Sequence, residues 1–96
     1  MEAELRRLKG EVLLRRGSMH YADAETVFRS AIEVARHQQA RWFELRATTS
    51  LARLLRDEGQ REEARAMLAE IYNWFTEGFD TLDLKEAKTL LEELTG

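Results

Sequence analysis

The sequence predicts an all-α protein, and three observations predict it. Apolar residues recur at intervals of three and four in five separate stretches, which is the period of a helix face. The 96 residues contain no proline, so no stretch carries the residue that most strongly breaks a helix. Glu, Arg, Ala and Leu dominate the chain, and all four are strong helix formers. No stretch carries a strand signal.

In the first stretch Leu5, Leu8, Val12 and Leu13 share a face, which predicts a helix over 3–16. Arg6, Arg7, Lys9, Arg15 and Arg16 are left outside, and Gly17-Ser18 ends the helix. The second helix is expected over 21–39, on Ala24, Val27, Phe28, Ala31, Val34 and Ala35. Asp23 and Glu25 in its first turn suit the positive end of the helix dipole. Leu45, Thr48, Leu51, Ala52 and Leu55 define a third helix over 41–58, stopped by Gly59. Thr48 on that stripe is expected to bond back to a carbonyl one turn earlier.

Ala64, Met67, Leu68, Ile71, Tyr72 and Phe75 carry a fourth helix over 61–76. Gly78 then stands where a left-handed helix ending belongs, with Phe79 folding back on Trp74. Thr81 is the expected N-cap of a fifth helix striped by Leu84, Ala87, Leu91 and Leu94 and widened by Leu90. The aromatics Tyr72, Trp74, Phe75 and Phe79 are read as core and cap. The whole of 1–96 is expected to be one domain, with consecutive helices antiparallel because their connections are short.

Composition removes several function classes. There is no cysteine, which rules out disulfides, thiolate metal sites and cysteine nucleophiles. No apolar run approaches the roughly 18 residues of a membrane span. The acidic opening Met1-Glu2-Ala3-Glu4 does not read as a signal peptide, and the expected location is the cytoplasm. The net charge of −3 is unevenly spread. Residues 1–48 hold nine Lys/Arg against seven Asp/Glu, and residues 49–96 hold six against eleven. The negative overall charge and the acidic C-terminal half argue against nucleic acid as a partner.

Catalytic chemistry finds no pattern. His20 and His37 lie about 25 Å apart if helical, too far to share a metal. Glu62-Glu63 and Glu92-Glu93 are adjacent pairs whose side chains diverge around a helix. No serine sits in G-x-S-x-G, and no phosphate-binding glycine loop occurs. A non-enzyme without cofactor or metal is expected. The third helix carries the most distinctive polar face: Trp42, Arg46, Thr49, Arg53 and Arg56 form one stripe. Arginine forks take carboxylates in pairs, and a tryptophan is a common interface anchor. The stripe reads either as a dock for an acidic peptide or helix, or as a solvated arginine face with Trp42 packed against the neighbouring hairpin.

The second and fourth helices repeat a small–large–core spacing, Ala24-Phe28-Ala31 and Ala64-Leu68-Ile71. Gly10 and Ala52 add small residues to the helices before them. This spacing resembles the tetratricopeptide repeat (TPR), although its period here is 40 residues rather than about 34. The resemblance implies two TPR-like hairpins plus a capping fifth helix, a fragment of an α-solenoid. It also implies that Arg7, Glu11 and Arg15 join the third-helix stripe in one groove.

A wider resemblance rests on ELRRLKGEVLL, AETVFRSAIEVAR, ELRATTSLARLLRDEGQREEARAML and YNWFTEGFDTLDLKEAKTLLEEL. Together these look like the C-terminal end of large bacterial signalling proteins. Those combine a nucleotide cyclase or DNA-binding domain, a predicted P-loop ATPase domain and a TPR-like tail. Leu82 stands where that group carries proline. The resemblance implies a scaffold or regulatory region for protein–protein contact. Apolar surface at an exposed end, on the first or second helix, would favour a homodimer.

Overall fold

Among the described residues five helices form: α1 (Glu2–Arg15), α2 (Tyr21–His37), α3 (Arg41–Asp57), α4 (Arg61–Tyr72) and α5 (Leu82–Thr95). They come from a computed structural model that describes residues 2–17 and 20–95. Met1 and Ser18, which the sequence reading used, lie outside the described residues. Among the described residues there is no strand.

Each helix packs on the next, and α3 also packs on α1 and α5. Side-chain pairs give the directions. Glu4 meets Arg46 and Glu11 meets Ser50, so α1 and α3 run the same way. Arg46, Arg53 and Arg56 meet Asp83, Glu86 and Glu93 in order, so α3 and α5 run the same way. Thus α1, α3 and α5 lie side by side as one layer, and α2 and α4 form the other. The smallest dimension, 19 Å, matches two helices of about 10 Å each.

The centre is α3, buried on most of its circumference, including Leu45, Leu51, Leu54 and Leu55. Phe28, Leu68, Leu84, Leu90 and Leu94 close the core around it. The buried carboxylate of Glu44 locks the α2–α3 corner. It accepts from Arg36 Nε at 2.9 Å and from Arg41 Nη1 at 3.0 Å. Between those helices Gln39 takes a left-handed φ of +56°, so α2 stops at His37 rather than at 39.

The first helix is rotated relative to expectation. Leu5, Leu8 and Val12 face outward, at 62, 46 and 47% exposure. The inward residues are Ala3 and Gly10, with Leu13 and Leu14 partly buried. The cause is a close approach: a Cβ at Gly10 would stand 2.5 Å from Phe28 Cε1. Only a bare backbone fits there. The side chains of Glu4, Arg7 and Glu11 follow Gly10 inward and find polar partners on α3.

The corner after α4 also departs from expectation. Helix α4 ends at Tyr72, six residues before Gly78, through tighter turns from Trp74 N–H to Ile71 and from Phe75 N–H to Tyr72. Those turns drive Phe75 inward against Trp42, with ring centroids 4.6 Å apart. Gly78 has φ +81° but does not end the helix. Phe79 packs on Tyr72 rather than on Trp74. Thr81 stands at the expected N-cap position directly before α5, where its carbonyl accepts from Lys85 N–H at 3.0 Å, while its hydroxyl donates to the Gly78 carbonyl at 2.7 Å.

Thr49, not Thr48, bonds back to a carbonyl, that of Leu45, at 2.8 Å. The Thr48 hydroxyl is buried without a partner, a situation that costs about 1–3 kcal/mol. Thr48→Val keeps the shape and removes that hydroxyl. It is expected to raise stability by about 1 kcal/mol, read from the denaturant midpoint at unchanged slope.

Candidate functional site

The candidate site begins as a stripe on α3. One turn of helix separates Arg46 from Thr49 and Ser50, and another brings Arg53 to the same face. Since α1 and α5 flank α3 in the same direction, their charged edges lean over that face. A cavity of about 190 Å³ results, lined by Arg7, Arg46, Thr49, Ser50, Arg53, Asp83 and Glu86. A second, of about 250 Å³, continues along the helix past Arg56, Lys85, Thr89 and Glu93.

Four of the expected residues therefore come together: Arg7, Arg46, Thr49 and Arg53. Arg56 stands one turn further on. Arg15 is exposed and lines neither cavity. Trp42 lies at the near end, half-exposed, and packs on Phe75. It separates two shallow hollows of about 400 and 420 Å³, one walled by Trp74 and the other by Leu82, with Phe43 in both. Arg41 lies over the Trp74 ring at 5.2 Å.

The arginines are not free cations. Arg46 Nε donates to Asp83 at 2.9 Å and its Nη1 to Glu4 at 3.4 Å. Arg53 meets Glu86 at 3.3 Å, and Arg56 meets Glu93 at 3.0 Å. Arg7 is held by both oxygens of Glu4, at 2.8 and 2.9 Å, and reaches Glu11 at 3.5 Å. Arg7 holds the Glu4 carboxyl below its usual range, against the opposing effect of burial, with Arg46 adding to the lowering. The same hydrogen bonding raises Arg7 above the usual guanidinium value.

The groove therefore alternates in sign. Its acids Glu4, Asp83, Glu86 and Glu93 and its hydroxyl Ser50 were not among the residues expected to line the groove. A signal for three of them existed: Asp83, Glu86 and Glu93 share one edge of the fifth helix at spacings of three and seven. The α3 guanidinium groups retain a solvent-facing side, with 40, 41 and 27% of the Arg46, Arg53 and Arg56 side chains exposed.

Among the described residues no group of three or more His, Cys, Asp or Glu stands close enough to hold a metal. No described helix is long and apolar enough to cross a membrane. The chain matches no family model, no curated protein and no solved structure.

Proposed function

We propose that the chain is a non-catalytic protein–protein interaction module. Its TPR-like hairpins would serve as the scaffold or regulatory tail of a bacterial signalling protein of the ATPase or cyclase type. The α3 arginine row recognises an acidic helical segment of the partner. One observation carries this role: the row already holds an acidic helix lengthwise, because α5 lays Asp83, Glu86 and Glu93 along Arg46, Arg53 and Arg56.

A partner's carboxylates add to the exposed side of the same guanidinium groups. Arginine suits this because its fork offers five donors, more than one carboxylate uses. Trp42 and Trp74, half-exposed beside the row, supply apolar anchors of the kind that dominate interface energetics. The helices are already formed, so binding orders little backbone.

The test is an NMR titration of the full chain with a synthetic peptide of the α5 sequence, residues 82–95. The same peptide with every Asp and Glu changed to Asn and Gln is the comparison. Shifts at Arg53, Arg56 and their α3 neighbours are expected with the acidic peptide alone. No shifts, or equal shifts with both peptides, would remove the acidic-partner role.

A further inference from the structure

We propose that the outer face of α1 binds a second copy of this chain, α1 against α1 in antiparallel order, to give a closed dimer. The face is apolar and unpartnered. Leu5, Leu8 and Val12 lie at i, i+3 and i+7 and are about half-exposed or more, the spacing with which one helix packs on another. The opposite end of the molecule differs, since α5 turns Lys85, Lys88, Thr89 and Glu92 to solvent and exposes a single leucine, Leu82, at its first residue. A three-residue apolar stripe occurs on α1 and not on α5, so assembly through α1 uses the same surface on both copies. A self-complementary contact closes at two.

Charge sets the direction. Helix α1 starts with exposed Glu2, which pairs with Arg6 one turn on and keeps a solvent-facing side, and it ends with exposed Arg15, followed by exposed Arg16. Antiparallel pairing brings Glu2 of each copy to the arginines of the other, whereas parallel pairing stacks arginine on arginine. Lys9 lies at the edge of the stripe near the two-fold axis. Its stem covers apolar surface while the ammonium stays in water.

The helix has 14 residues, about 21 Å at 1.5 Å per residue. A contact that short falls at the small end of specific interfaces, so a micromolar Kd is expected rather than a nanomolar one. The stripe points away from the side of α1 that meets α3. Loss of this contact therefore leaves the α3 arginine row intact, and the peptide titration reports on that row separately.

Sedimentation equilibrium of the full chain across a micromolar-to-millimolar series tests the dimer. The weight-average mass is expected to rise from one chain toward two and stop there. Leu8→Glu, at an exposed position, is expected to abolish the rise with helicity unchanged by circular dichroism. Arg15→Glu with Arg16→Glu is expected to weaken association at least tenfold, and adding Glu2→Arg to restore it. A strict monomer at millimolar concentration overturns the proposal, as does growth beyond two chains. A dimer insensitive to Leu8→Glu overturns the α1 face. A dimer insensitive to the arginine reversal overturns the antiparallel order.

Discussion

Gly10→Ala is expected to destabilise the protein by about 2 kcal/mol net, the reverse of what an exposed helix would show. In an isolated helix the change gains about 1 kcal/mol from propensity. Here the new methyl would lie 2.5, 2.8 and 3.0 Å from Cε1, Cδ1 and Cζ of Phe28. Phe28 is fully buried and has no room to withdraw. Helix α1 must lift instead, and it has little apolar contact to hold it, since only Leu13 and Leu14 of α1 pack against the central core cluster.

The loss should therefore concentrate in α1. Hydrogen exchange should show α1 amides losing protection before those of α3. Phe28→Leu in the Gly10→Ala background should recover part of the loss, with a coupling of about 1 kcal/mol. A Gly10→Ala chain as stable as the parent would mean that α1 does not seat on Phe28.

Glu44→Ala is expected to cost about 2–3 kcal/mol, the range for losing hydrogen bonds to charged groups at a buried site. The Glu44 carboxylate is 6% exposed and bonds Arg36 and Arg41 from opposite sides of the α2–α3 corner. Its removal frees the last turn of α2 and the first turn of α3 together. For a domain of this size each kcal/mol moves the melting temperature by about 4–8 °C. Glu44→Gln keeps the shape and loses the charge, so an intermediate drop is expected. A melting temperature unchanged in both variants would show that the corner is held by the backbone alone.

Much of the architecture was legible. Five apolar periods became five helices among the described residues, with α1 and α3 within one residue of their expected ends. The small residues Gly10, Ala24, Ala52 and Ala64 all became buried contact points. The α3 stripe of Arg46, Thr49 and Arg53 did form one wall of a cavity. These features are local: they depend on which residues share a helix face, and spacing alone settles that.

The rotation of α1 was not legible, although its residues were. Two faces of that helix compete for the core, one carrying Leu5, Leu8 and Val12 and the other Ala3, Gly10 and the charges Glu4, Arg7 and Glu11. Periodicity favours the leucines. The outcome turned on the shape of Phe28, which leaves space for a glycine and none for a leucine. It turned as well on Ser50 and Arg46, which give the inward charges partners.

The end of α4 was lost in a similar way. Helical spacing continues to Phe75, but burial against Trp42 required that ring to leave the helix line after Tyr72. The charge of the groove was the largest change. A row of arginines read along one helix is basic, and the same row beside Asp83, Glu86 and Glu93 is neutralised.

By itself the sequence determined the number of helices among the described residues, their order and the residues that share each face, because helix formation and face composition are set within a few residues. Only the tertiary structure decided which face of α1 turns inward, where α4 stops and what sits on the arginine row. Those outcomes rest on fit and charge pairing between side chains far apart in the chain, such as Gly10 with Phe28 and Arg46 with Asp83. No spacing within one helix encodes them.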